Sequence, residues 1–408
     1  MLVDTYVLSR LGTECLATAA LAGAILGTFV VFGSSSLSSV SVLAAQAHGE
    51  GHSDKQSAIF RDALWYSAFL GVVLVCLVYF FGPVYGLLGQ HPNILADATR
   101  FLTLISWSAI PEMVFLGAKA FSEALGKPLF PMFVQYAAVL MNIVLSIFLG
   151  FGLFGLPKFG LYGVGYALLS ATSFSAMVAV LYAARLASCG LTSAFFKPDG
   201  ARLARLLRLG LPVGFSQLSE IAAFNFVVIM MGWLGPTALA AHQIAYSCIA
   251  LTYRLPLGVS QATCIRVSQC SDRSSENIRQ IALAGLTLSS VIMAVVGLLL
   301  FVLRHVLASI FSADPSVVEI AESLLVIAAL FQLIDGIQVT VIGALRGMED
   351  VKIPMLVAYG SYWGVAIPLG FVLGFVWKLN APGIWIGLAS GILVVALANS
   401  CRFWKLSR

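Results

Sequence analysis

The sequence predicts an all-α integral membrane protein made of two pseudo-symmetric six-helix lobes, the first helix incomplete, so that eleven full spans and a stub are expected. Three observations predict it: long uncharged apolar runs, an uneven placement of basic residues, and a sequence repeat at a fixed offset. Of 408 residues, 60% are hydrophobic and 10% charged, against roughly 25% charged in a soluble domain. No charged residue lies between Lys158 and Arg185, between Arg279 and Arg304, or between Lys352 and Lys378. About 20 apolar residues rising 1.5 Å each cross a hydrocarbon core of roughly 30 Å, so each run is long enough to span. A soluble helix of that length would carry a polar face, and these runs are apolar all round.

The uncharged runs predict helices at 17–46, 63–88, 100–118, 131–156, 159–184, 208–233, 240–265, 281–303, 322–345, 354–377 and 381–401, numbered 2 to 12. Placing the loop at 48–62 in the cytoplasm puts seventeen Lys and Arg inside, five outside, and Arg254 within a span. The reverse orientation breaks the positive-inside rule. The basic cluster Arg185, Lys197, Arg202, Arg205 and Arg208 is read as a cytoplasmic topology determinant, not as a nucleic-acid site. The C-terminus then lies on the cytoplasmic side as well.

The repeat appears at an offset of 223. Leu11-Gly12 with Leu16-Ala17 recurs as Leu234-Gly235 with Leu239-Ala240, Gln46 as Gln269, and Pro131-Met132 as Pro354-Met355. It divides the chain into an N-terminal lobe at 1–190, a cytoplasmic linker at 191–207 and a C-terminal lobe at 208–408. An even number of spans per copy keeps both copies in one orientation, a transporter plan with the site between the halves. Residue 1 aligns with residue 224, so residues 1–9 read as the end of a first helix. At most about 14 Å of helix does not cross a bilayer. The expectation is either a start codon upstream of Met1 or a truncated protein.

Charges inside spans are functional candidates because each costs about 2.5–3.5 kcal/mol on insertion scales. Glu112, Glu220, Arg254 and Asp335 lie in complete spans, and Asp4 in the stub. A carboxylate in a low-dielectric cavity can exchange a proton near neutral pH; beside amide and carbonyl oxygens it also suits Na⁺, a hard cation. Glu220 and Asp335 are the principal candidates for ion coupling. Arg254 is read as a partner that neutralises one of them or as a modulating charge. Glu112 follows Pro111, so it either takes part in transport or satisfies backbone groups freed by a proline kink. Asn142 and Ser146, one turn apart, form a polar strip that binds a cation or holds helices together. The serines between Ser34 and Ser41 are read as a close-packing face.

Other chemistries are excluded. Gly150 to Gly155 fits GxGxxG but ends an apolar helix with no strand before it. His48-Gly49-Glu50-Gly51-His52 offers too few ligands for a metal site. The seven cysteines show no CxxC spacing. There is no P-loop and no nucleophile–base signature, so no enzyme and no cofactor is expected.

The runs Leu209-Gly210-Leu211-Pro212-Val213-Gly214, then Glu220, then Gly235 to Ala245 with Ala240-Ala241-His242-Gln243-Ile244-Ala245 resemble helices 7 and 8 of the multidrug and toxic compound extrusion (MATE) family, NorM-type branch. Ala344-Leu345-Arg346-Gly347-Met348-Glu349-Asp350 through Pro354-Met355, and Val3-Asp4-Thr5 with Leu11-Gly12, resemble it too. The resemblance implies a twelve-helix fold exporting cationic or amphipathic drugs or toxins by Na⁺ or H⁺ antiport through alternating access. It implies cation or proton coupling at Glu220 and Asp335 and, matching the family's helix 1 aspartate, at Asp4, with Asn142 matching its helix 5 asparagine in a candidate N-lobe polar site with Ser146. Ser146 stands where a second Asn or Asp is usual, and Arg254 where an apolar residue is. The implied setting is a multi-pass protein, monomeric, in the bacterial inner membrane. Two alternatives are a lipid-linked precursor flippase of a related fold and an inactive, N-terminally truncated remnant.

Overall fold

The computed structural model describes residues 7–8, 10, 12–81, 92–152, 157–187, 198–270 and 274–408, and nearly all of these are helical. Inter-residue contacts divide the chain into two units, Met1–Gly214 and Phe215–Arg408.

The first unit begins with two helices in series, α1 (Thr13–Ser36) and α2 (Ser38–Gly49). Serine hydroxyls mark the joint: Ser36 Oγ donates to Phe32 O at 2.8 Å, and Ser39 Oγ to Ser36 O at 3.1 Å. Such back-bonding competes with the helix ladder and bends it. α3 (Ser53–Phe81) follows, then α4 (Pro92–Ser106) and α5 (Ala109–Ala124) in series. Pro111 lacks an N–H and its ring crowds the carbonyl four residues back, at Trp107, where the ladder breaks. The hairpin of α6 (Leu129–Phe151) and α7 (Leu161–Leu186) completes the unit. A Cβ at Gly163 would meet the backbone of Leu149 and Gly150, so only glycine permits this approach.

α8 (Gly200–Leu234) is continuous through Pro212 and passes from the first unit into the second. It begins inside the stretch expected to be linker, so residues 200–207 are helix; 191–197 lie outside the described residues.

The second unit follows the same plan. Gly235 opens α9 (Pro236–Thr252) at φ 113°, as Gly12 opens α1 at φ 132°, both left-handed values that favour glycine. The backbone bonds match at the offset of 223: Leu16 N–H donates to Gly12 O and Leu239 N–H to Gly235 O, both at 3.1 Å. α10 (Arg254–Ser268) continues after a break at Tyr253. The cause is Pro256, whose ring faces the carbonyl of Thr252. The single span expected at 240–265 is therefore two short helices; ten helical stretches among the described residues are long and apolar enough to cross a membrane, counting α1 with α2, α4 with α5, and residues 352–376 as one stretch each. α11 (Ser275–Phe311) and α12 (Pro315–Gly347) form a long hairpin. α12 is the centre of the unit, packing against α9, α10, α11 and the last helix. Next come α13 (Lys352–Ser361), a wide π-turn (Tyr362–Ala366), α14 (Ile367–Phe371) and a second π-turn (Val372–Val376). The first π-turn lets the helix pass Pro368. α15 (Asn380–Leu406) ends the chain, with Gly383 against Leu373 as Gly163 is against Leu149.

Candidate functional site

The polar centre of the second unit is built on α12. Gln332, Asp335, Gln338 and Arg346 recur at three- and eight-residue steps, and eleven residues make about three turns, so Asp335 and Arg346 share one stripe. The neighbouring stripe is made of small residues. Gly336 lies against Met293 and Ser289, Gly343 against Ser260, and Gly347 against Cys264 and Val267. Ser260 Oγ donates to Val339 O at 2.6 Å, and Ser289 Oγ to Gly336 O at 3.1 Å. These contacts fix α12 so that Asp335 is buried, with 5% of its surface exposed.

Glu220, on α8, is half-buried. Gln217, one turn earlier, donates from Nε2 to its carboxylate at 3.1 Å. The Tyr362 hydroxyl also hydrogen-bonds it, and that hydroxyl accepts from Gln338 Nε2 at 3.2 Å. Glu220 interacts electrostatically with Asp335 and with Arg346. Tyr253, at the α9–α10 break, feels all three. Both tyrosines stand at irregularities that a proline creates, Tyr253 before Pro256 and Tyr362 before Pro368.

Several acceptors around this centre have no hydrogen-bond partner among the described residues: Gln332 Oε1, Gln338 Oε1 and Thr340 Oγ1. Gln332 and Gln338 spend their amide N–H groups on Thr252 Oγ1 at 2.9 Å and on Tyr362. Their oxygens are left to accept from water or a protonated group, or to ligate a hard cation with the carboxylates. Buried polar atoms of this kind ordinarily find a partner.

An aromatic wall adjoins Glu220. Trp363 Nε1 donates to Ser219 Oγ at 3.1 Å, and Phe226 lies 6.2 Å from Trp363 and 6.1 Å from Trp233 between ring centroids. Phe224 lies 5.9 Å from Tyr246, which stacks on His242. His242 is buried, its Nδ1 accepting from Trp385 Nε1 at 3.1 Å.

The other sequence candidates fall elsewhere. Arg254 opens α10 and is exposed, and it acts electrostatically on Tyr246 and Tyr253 beside the carboxylates. The cation that faces Glu220 is Arg346, which sequence reasoning counted among the loop charges. Its place on the Asp335 stripe was the signal that could have found it. Glu112 sits half-buried in the first turn of α5, coupled to Lys119, with its N–H bonded to Ser108 O at 3.0 Å. Asn142 and Ser146 lie one turn apart on α6, Ser146 fully buried. Asp4 lies outside the described residues. The serine face packs closely, as expected: Ser36 and Ser39 meet Gly210, and Ser36 meets Gly214.

Membrane-length helices in two like-built units, with the interacting carboxylates Glu220 and Asp335 in the second, mark a polytopic membrane protein built for transport. The MatE family profile matches residues 1–148 and 212–372. The chain is 33% identical over 415 residues to the "Probable multidrug resistance protein NorM" of Brucella suis, covering 98% of this chain and 88% of that one. It is 33% identical to the protein of that name in Rhodopseudomonas palustris (100% and 88% covered) and 32% identical to the one in Xylella fastidiosa (97% and 85%). This protein therefore belongs to the MatE family, in its NorM-type branch, and is a transporter and not an enzyme. The fold agrees with solved structures: a MATE protein in the bent conformation superposes with a TM-score of 0.90 at 19% identity, covering 99% of this chain and 91% of that one. The eukaryotic MATE transporter AtDTX14 gives 0.84 at 22%, with 100% and 92% covered.

Proposed function

We propose that this protein exports cationic or amphipathic small molecules across the bacterial inner membrane, in exchange for Na⁺ or H⁺, by alternating access. The observation that carries the proposal is the pair Glu220 and Asp335, two carboxylates that interact inside one apolar membrane unit. Charges at that depth are expensive and are kept for ion or substrate pathways. Their mutual repulsion is removed when a proton or a cation joins them. A ligand that removes it in one conformer more than in another shifts the conformational equilibrium. Gln217 and Tyr362 hold the Glu220 carboxylate in place, and the unpartnered oxygens of Gln332 and Gln338 are further ligands for an incoming ion. The aromatic faces of Phe226, Trp363 and Tyr246 suit a lipophilic cation, because a ring face attracts positive charge. Asn142 and Ser146, with Asp4, would supply a second polar site in the first unit.

The test is ethidium efflux from drug-sensitive bacteria. Asp335→Asn, at wild-type abundance in the membrane, should lower gradient-driven efflux by about tenfold or more, the scale of one lost charge interaction. Unimpaired efflux would remove Asp335 from the mechanism. Absence of ethidium efflux in the wild type, with binding of anionic lipid headgroups instead, would replace drug export with lipid flipping.

A further inference from the structure

A second buried carboxylate lies far from this centre in sequence and is not used by it. Asp62, on α3, has no exposed side-chain surface. Its Oδ1 accepts from Arg61 Nε at 3.2 Å and from the Asp199 backbone N–H at 3.2 Å. Its Oδ2 accepts from Arg202 Nε at 2.5 Å. Asp199 in turn accepts from the N–H of Ala201 at 2.9 Å, capping the start of α8, and pairs with Arg202 at 3.4 Å. Three residues on, Arg205 Nη2 donates to Gln46 Oε1 at 3.3 Å. A carboxylate at zero exposure is costly unless every lone pair is used, and here both oxygens are engaged by groups at the start of α8 or beside it.

The rest of that half-helix is held along the same face. Leu206, Leu209 and Val213 are buried, Gly210 closes on Ser36 and Tyr66, and Gly214 on Ser36 and Phe32. Any Cβ at either glycine would overlap those atoms. Arg202, Leu206, Leu209, Gly210 and Val213 thus form one stripe at helical spacing, polar at its start and tightly packed after it. Six residues past Gly214 the same continuous helix carries Glu220.

We propose that Asp62 and Arg202 are positioning residues that anchor the first half of α8 in the first unit, so that ion loading at Glu220 is felt along the helix as far as residue 200. This rests on the reading of Glu220 as an ion-coupling group. A helix fixed at one end and loaded near its middle passes a rotation or bend to its anchored segment; with the anchor gone, the loaded half moves alone.

The experiment is hydrogen exchange of the full chain in lipid nanodiscs, with Na⁺ against choline at constant pH, and acid against alkaline pH corrected for intrinsic exchange. In the wild type, ion loading should slow exchange severalfold in peptides from 200–212 and from 220–234, and Glu220→Gln should abolish both responses. Asp62→Asn should speed basal exchange at 200–212 and abolish its ion response, leaving the response at 220–234 intact. Arg202→Gln, at a side chain already 37% exposed, serves the same comparison if Asp62→Asn does not fold. An unchanged ion response at 200–212 in either variant overturns the anchor. So does a wild type in which only 220–234 responds. If neither segment responds in the wild type, the reading of Glu220 fails first and the anchor fails with it.

Discussion

At the scale of single residues, the cation that acts on Glu220 is Arg346. A fixed cation near a carboxylate lowers its attraction for mobile cations, by an amount of order 1–2 kcal/mol at an effective dielectric constant of about 20. Replacing Arg346 with Gln should therefore lower the half-saturating concentration of the coupling ion about five- to thirtyfold. Ethidium efflux measured against external Na⁺ and against pH reads this directly; an unchanged or higher half-saturation would show that Arg346 does not act on the ion site. Glu220 and Asp335 were legible in the sequence because a charge in an apolar run stands out. Arg346 was not, because it lies at the end of its helix, where basic residues ordinarily mark the cytoplasmic side. Arg254 stood out for the same reason as the carboxylates; Pro256 breaks the span beside it, so the side chain lies exposed at a helix start while still acting on Tyr246 and Tyr253. Tyr253, Tyr362, Gln217 and Gln338 carry no charge, so nothing in composition singles them out before the helices are packed.

At the scale of elements, prolines decide where the spans break and glycines decide which helices touch. Pro111, Pro256 and Pro368 each disturb the ladder about one turn upstream, and two of these disturbances place Tyr253 and Tyr362 near Glu220. Pro212 leaves α8 continuous, so a proline in a sequence does not alone foretell a break. The small-residue stripe of α12 is the other determinant. Gly343→Ala would drive a methyl into the carbonyl and hydroxyl of Ser260. Overpacking of this kind costs roughly 1–3 kcal/mol. Thermal unfolding of the purified protein in detergent should show a lower midpoint for Gly343→Ala, whereas Gly258→Ala, with open space at the Cβ position, should show almost none. Equal midpoints for the two would mean that α12 is not seated through Gly343. Helix existence was readable from hydropathy; the breaks depended on local ring-to-carbonyl clashes that hydropathy does not report. The start of α8 at Gly200 was missed because its first turns carry the charges Arg202, Arg205 and Arg208, which interrupt the apolar run yet form one helix capped at Asp199.

At the scale of the whole molecule, the repeat was the most informative feature of the sequence. Matched glycines at 12 and 235 open matched helices with matched backbone bonds, and matched hairpins close on Gly163 and Gly383. The units are not equal in chemistry. The second holds two interacting carboxylates with amide and phenol partners, whereas the described part of the first offers Asn142 and Ser146 on α6, Glu112 on α5 coupled to Lys119, and a carboxylate, Asp62, bonded to the start of α8. On the proposed mechanism the Glu220–Asp335 pair carries ion coupling in the second unit, and Asp62 anchors α8 in the first. The most direct test of that mechanism is ion flux in proteoliposomes of the purified chain, recorded with internal pH and Na⁺ indicators as ethidium is added. The account predicts an ethidium-dependent flux of one of the two ions in the wild type, and none in Glu220→Gln or Asp335→Asn although both still bind ethidium. Ethidium transport by these two variants with an undiminished ion flux would contradict it.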